Sequence, residues 1–216
     1  MLIDLHTHTR PISWDSDLTP DQLIDLSKAA GLDGVCFTEH DYFWDDAECR
    51  ALAERHDFLV LPGVEANTEY GHILVFGLLK YEYGMHRIEQ LTSMVDAAGG
   101  AMIAAHPYRR YMPWYHLDEA NFEQALSRAL ANPAYKHCVA LEAWHGRAAP
   151  QQNAFSQRLC ERLQMRASGG SDAHQPPHVG RCATRFERPV RTLEELIAEL
   201  KAGRFQGVDL RTGTEQ

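Results

Sequence analysis

Strand-length apolar runs alternate with amphipathic helical patterns along nearly the whole chain, and this alternation leaves few fold classes open. The first run, Leu2 to His6, leads through a loop to a helical pattern at about 20–30. Thr19 and Gln22 make a capping box there, Pro20 suits the first helical position, and Gly31 fits just past the end. Gly34 to Thr38 precedes a helix at roughly 45–55, Phe58 to Pro62 leads into a loop, and His72 to Leu78 is the next run. A helix with Ile88, Leu91, Met94 and Val95 on one face stops at Gly99-Gly100. Then follow a strand from Ala101, a helix over 118–131, a strand from Cys138 and a helix from near Pro150. Short strands at Met165 to Ser168 and Cys182 to Phe186 precede a last helix between Thr192 and Gly203, with Glu195 as the box partner. About seven strands with interleaved helices point to parallel βα units closing, or nearly closing, into an α/β barrel. An open doubly wound sheet is the alternative, but it concentrates its ligands at one switch point.

The ends of these runs carry the chemistry. His6 and His8 follow the first run, His40 the second, His106 follows AMIAA and His174 follows ASGGSDA, whereas His72 opens its run. Asp15, Glu65 and Asp172 stand beside them. Imidazoles and carboxylates gathered at strand ends imply a metal site with several ions, and hence a metal-dependent hydrolase. In His-Thr-His, two imidazoles two residues apart on an extended chain point the same way and can hold one ion together. Mixed nitrogen and oxygen donors suit Zn²⁺, Mn²⁺ or Fe²⁺, and the scattered cysteines are not needed as ligands.

DLHTHT, an acidic loop ending LTP, TEHD, PGVE, GHILVFG, AHP and GGSDAH occur here in one order and rough spacing, from residue 4 to about 186. That series resembles the PHP family, the polymerase-and-histidinol-phosphatase-type metal-dependent phosphoesterases. LEAWHGR, GGSDAH and VGRCAT resemble the C-terminal segment of its small stand-alone members. The resemblance implies a distorted seven-stranded TIM-like (β/α) barrel in one domain over 1–205, holding two to three divalent ions; the polar composition of 206–216 predicts a loose tail. Carried over, His6, His8, Glu65 and Asp172 would hold the first ion. Glu65 would bridge to a second completed by His72 and His106, and Asp15, His40 and His174 would hold the third. The loop before LTP reads ISWDSD, about two residues longer than the family's, so Asp17 competes with Asp15. A shared Glu65 would place two ions within ~4 Å, an arrangement that polarises a phosphoryl oxygen and activates a hydroxide.

A phosphate also needs donors. Arg109 directly follows the AHPY segment, as in the family pattern, and a guanidinium fork fits two phosphate oxygens. Arg147 and His145 are further substrate-binding candidates, with Glu142 as an orienting group. Trp114 and Tyr115 are candidates for an aromatic wall. His56, His86, His116 and His137 read as surface or packing residues. The catalytic roles fall on Glu65, Asp172 and His174. The expected activity is hydrolysis of a small phosphomonoester such as a nucleotide, a nucleoside bisphosphate or histidinol phosphate. Two other classes compete: a non-catalytic metal-bound module packed on a partner, and an amidohydrolase-type C–N hydrolase. The latter would want a lysine between the early and middle histidine strands, and none stands at a strand's C-terminal end there.

The net charge of −9 disfavours an extended nucleic-acid partner, though bound cations would reverse the sign locally. With no leader-like segment, no long apolar run and five unpaired-looking cysteines, a cytoplasmic protein with no membrane partner is expected.

Overall fold

A computed structural model describes residues 1–211. The strands are β1 (Leu2–Thr7), β2 (Gly34–Phe37), β3 (Leu59–Pro62), β4 (Val64–Thr68), β5 (Gly71–Phe76), β6 (Ala101–Ala104), β7 (Ala140–His145), β8 (Arg166–Gly170), β9 (Cys182–Phe186) and β10 (Phe205–Asp209). The helices are α1 (Pro20–Ala29), α2 (Asp46–His56), α3 (Ile88–Ala97), α4 (Glu119–Leu130), α5 (Pro150–Leu163) and α6 (Leu193–Ala202). The Thr19–Gln22 capping box forms in both directions, and α1 starts at Pro20.

The strands make two five-stranded mixed sheets, ordered β10-β9-β1-β2-β3 and β4-β5-β6-β7-β8. A closed or nearly closed seven-stranded barrel was expected; ten strands form, in two separate sheets, and closure into one barrel is not shown. Between the sheets, only two isolated parallel bridges are present among the described residues, Thr7 with Ala173 and His40 with Glu65. The sheets also depart from the expected parallel βα units in strand direction. β1, β2 and β3 run parallel, as do β6, β7 and β8, but β5 is antiparallel to both β4 and β6, and β9 to both β1 and β10.

Burial follows the pleat, since successive side chains face opposite sides. On β5, Ile73 and Val75 pack with α3, α4 and α5, while Leu74 and Phe76 turn inward to meet Ile3, Leu5 and Leu61. On β2, Val35 and Phe37 pack with Leu23, Ile24 and Leu52 of α1 and α2, while Cys36 turns inward. Leu196 and Leu200 of α6 cap that inner cluster. Among the described residues, no helix is long and apolar enough to cross a membrane.

The segment expected as a loose tail is partly structured. β10 pairs in register with β9 from Phe205–Phe186 to Asp209–Cys182, whereas 212–216 lie outside the described residues. Phe205 is buried, which is why the pairing extends past α6. A Cβ at Gly207 would stand 2.5 Å from the Ser168 carbonyl oxygen and 2.7 Å from Trp144 Cδ1. Gly207→Val is expected to cost about 1–3 kcal/mol through overpacking, read as a lower midpoint in thermal unfolding. A loose tail would leave the midpoint unchanged.

Candidate metal centre

Both members of the His-Thr-His pair are fully buried at the end of β1. Thr7 between them points the other way, its hydroxyl donating to the Cys36 carbonyl at 2.8 Å. Glu65 is the second residue of β4 and Asp172 follows β8 by two residues. His6 Nε2 and His8 Nε2 lie 3.4 and 3.3 Å from Glu65 Oε2, and 3.4 and 3.2 Å from Asp172 Oδ1. None of these four atoms has a partner in hydrogen-bonding geometry, although all are buried. Buried polar atoms are normally satisfied, so four orphans converging on one point mark the place of a ligand. A tetrahedral ion with bonds of about 2.0–2.1 Å has ligand–ligand edges of roughly 3.3 Å, which matches this cage. The donor set therefore fits a divalent transition metal.

The two oxygens of Glu65 face different groups. Oε1 meets His72 Nδ1 at 2.7 Å and His106 Nε2 at 2.8 Å, while Oε2 faces His6, His8 and, at 2.8 Å, His40 Nδ1. His72 opens its strand yet reaches the same rim, because β5 runs against β6 and its first residues lie beside the last of β6. The His72 carbonyl accepts from Ala105 N at 3.0 Å. His174 Nε2 and His40 Nε2 approach Asp15 Oδ2 at 3.0 and 3.5 Å. Asp17 instead turns to Gln175, accepting from its Nε2 at 3.2 Å. Asp15 is thus the acidic residue that the loop brings inward.

The titration directions follow from this crowding. Burial alone would raise Glu65, but the imidazoles of His6, His106 and His40 hold it well below the usual carboxylate range. Burial likewise opposes ionisation of Asp172, and His6, His145 and His8 overcome it. Burial would push His8 down, yet Asp172 and Glu65 bring it up to about 9. His106 and His174 are pushed down to about 4, chiefly by burial.

Other side chains hold these groups in place. Glu142 on β7 lies 2.9 Å from His6 Nδ1 through one oxygen and accepts from His106 N at 2.7 Å through the other. The first contact fixes a hydrogen on Nδ1 and leaves Nε2 free toward the cage. The second holds His106 at φ 27°, and Asp172 sits at φ 51°, left-handed conformations that non-glycine residues adopt only where their surroundings impose them. β8 can pass this close because Gly170 has no side chain: a Cβ there would stand 2.6 Å from both His6 Cβ and Glu142 Oε1.

Arg109 Nη2 donates to Asp172 Oδ2, and Arg147 Nη1 reaches the same oxygen at 3.2 Å. Each guanidinium side chain is 36% exposed, so it spans from the buried carboxylate to solvent. His145, expected to meet substrate, is instead fully buried, with Nε2 3.1 Å from Asp172 Oδ2 and Nδ1 3.3 Å from the Tyr108 hydroxyl. It orients Asp172, because β7 turns it under the carboxylate. Arg110 donates to the Glu69 carbonyl at 3.0 Å. A cavity of about 180 Å³ opens beside the centre, lined by Asn67, Tyr70, His72, His106, Arg109 and Arg110 among others. The sequence reading passed over Ser13, Glu39 and Tyr108; a position beside a ligand motif was the only signal they carried.

An α/β frame with imidazoles and carboxylates clustered at one rim makes a centre that could hold metal ions. The PHP domain profile matches residues 4–143, and a PHP-associated profile matches 150–205. The chain belongs to the PHP domain family. It is 33% identical to the 3′,5′-nucleoside bisphosphate phosphatase of Chromobacterium violaceum over 45% of its own length, and spans 39% of that relative. Its fold is similar to that of an amidohydrolase from C. violaceum solved with sulfate and no metal (TM-score 0.61, 20% identity, covering 99% of each chain). It is also similar to PsfC of Pseudomonas syringae (TM-score 0.64, 21% identity, 96% and 91% covered). A third similar fold belongs to a candidate metal-dependent phosphoesterase of Bifidobacterium adolescentis (TM-score 0.58, 17% identity, 97% of each covered). At these identities the structures share the fold alone.

Glu142 accepts at both oxygens, whereas an amide offers one acceptor and one donor. Glu142→Gln would set one amide N–H against a ring or backbone N–H, and zinc affinity is expected to fall roughly 10- to 100-fold in a competition titration. His6→Ala with His8→Ala should remove at least one equivalent of metal by elemental analysis.

Proposed function

We propose that this chain is a metal-dependent phosphoesterase hydrolysing a small phosphomonoester, with a nucleotide, nucleoside bisphosphate or histidinol phosphate as candidate substrates. The observation that carries the reading is the cage of four orphaned buried atoms beside two half-exposed arginines. His6, His8, Glu65 and Asp172 would hold one ion. Glu65, His72 and His106 would hold a second, and Asp15, His40 and His174 a third, with His40 also facing Glu65. Zn²⁺, Mn²⁺ and Fe²⁺ all suit these donors. Such ions supply Lewis acidity toward a phosphoryl oxygen and lower the pKa of water.

The chain's own residues do the rest. Glu65 presents one oxygen to each neighbouring histidine group, so it would set the spacing between two ions. Asp172 would contribute Oδ1 to the cage, while Oδ2 anchors Arg109 and Arg147. Held from behind, those guanidiniums are preorganised toward anionic oxygens at the mouth, where positive groups stabilise charge developing in an in-line displacement. His174, held neutral, is available as a ligand through Nε2. Catalytic roles are therefore assigned to Glu65, Asp172 and His174, and substrate binding to Arg109 and Arg147.

The partial match to a nucleoside bisphosphate phosphatase supports a phosphomonoester. All four lysines are exposed, which speaks against the lysine-dependent C–N hydrolase. The ligand set, converging within hydrogen-bonding range, speaks against a non-catalytic module. The test is a screen of metal-reconstituted protein over phosphomonoesters, phosphodiesters and amides. Turnover restricted to phosphate esters is expected, and turnover of amides alone would sink the reading. Arg109→Ala should lower phosphoesterase kcat/KM about 10-fold or more, the loss of one charge-assisted contact, with metal content retained.

A further inference from the structure

Glu39 directly precedes His40, beyond the end of β2, and is fully buried. Its two oxygens accept from the Thr9 backbone N–H at 3.0 and 2.9 Å and from the Trp44 indole N–H at 3.2 Å. The hydroxyls of Thr9 and Ser13 donate to it as well. Thr9 and Ser13 belong to the loop between β1 and α1, the loop that carries Asp15. Ser13 Oγ lies in turn 3.2 Å from His8 Nδ1.

The direction of this chain follows from the inventory of donors. A carboxylate can only accept, so the single Ser13 hydroxyl proton points at Glu39, and Ser13 Oγ is left as an acceptor toward His8. With a cation in the cage, His8 then keeps its hydrogen on Nδ1 and would present a lone pair at Nε2, the atom facing Glu65 and Asp172. The same loop is held elsewhere by Ser13 N to Thr9 O, Ser16 Oγ to His8 O and Asp17 N to His174 O, each 2.8 Å. Those bonds set Asp15 against His174 and His40.

We propose that Glu39 is a positioning residue which, through the Ser13 hydroxyl, sets the tautomer of His8 and the placement of Asp15, coupling two ends of the metal centre. The inference rests on the reading of His8 and Asp15 as metal ligands. A carboxylate behind a ligating imidazole ordinarily contacts it directly and orients it. Here a serine is interposed, and the carboxylate remains free to fasten the loop as well.

Wild type, Ser13→Ala and Glu39→Gln, each stripped of metal, would be titrated with zinc against a chromophoric chelator, and melted without metal. Ser13→Ala leaves the Thr9–Glu39 bonds in place, so its metal-free melting temperature should stay near wild type while zinc affinity falls roughly 10- to 100-fold. In ¹⁵N-histidine spectra of the zinc-loaded proteins, wild type should show a hydrogen-bonded His8 Nδ1–H that the alanine variant lacks. Glu39→Gln should weaken zinc binding at least as much; if it does not fold, Ser13→Ala decides the question alone. Zinc affinity within twofold of wild type in Ser13→Ala would overturn the proposal. A wild type that binds no zinc would instead overturn the metal reading beneath it.

Discussion

The Glu65 carboxylate is the constraint on which the rest of this structure depends. It is 1% exposed and has five imidazoles around it, those of His6, His8, His40, His72 and His106, within 3.4 Å. Removing a carboxylate from water costs several kcal/mol even after relaxation, and the imidazoles around Glu65 overcome this, holding it well below the usual carboxylate range. A second buried carboxylate, Asp172, faces the same gap. Two carboxylates and two imidazole nitrogens turned toward one point, none in hydrogen-bonding geometry, are well arranged for a cation. The two sheets meet at this point: the His40–Glu65 and Thr7–Ala173 bridges that join them lie beside these side chains.

Precision in such a centre comes from groups that do not touch the ligand. Glu142 uses one oxygen on the His6 ring and the other on the His106 backbone, so a single side chain on β7 aligns residues from two other strands. His145 does the same for Asp172 from beneath, with Tyr108 behind it. Strand ends make rigid mounts for these contacts. The left-handed backbone of His106 and Asp172 indicates that local conformational preference yielded to the geometry of the centre. The chain is acidic overall, yet Arg109 and Arg147 converge on Asp172 and place positive charge at the mouth.

Much of this was legible beforehand, for particular reasons. His6 and His8 could be paired because an extended chain turns alternate residues the same way, a purely local rule. Glu65 and Asp172 stood out by their position in ordered motifs. The all-parallel expectation differs at β5 and β9, since periodicity reports which face is buried and is silent about strand direction, and β4 and β10 were read as a loop and a tail. His145 illustrates the same gap. Its neighbours suggested a substrate contact, but the turn of β7 buries it under Asp172. Phe205 directly precedes the supposed tail, and its burial, invisible locally, draws the following residues into a strand.

By itself the sequence determined the alternation of strands and helices, most helix caps, the buried faces and the kinds of donor atom available, because these depend on spacing and side-chain chemistry along a few residues. Only the tertiary structure decided that Asp15 and not Asp17 turns inward, that His72 joins from a reversed strand, and that Glu65 offers each oxygen to a different group. It also decided that the strands divide into two sheets meeting at a rim. Those outcomes depend on distances between residues far apart in the chain, and such distances are set when the sheets pack.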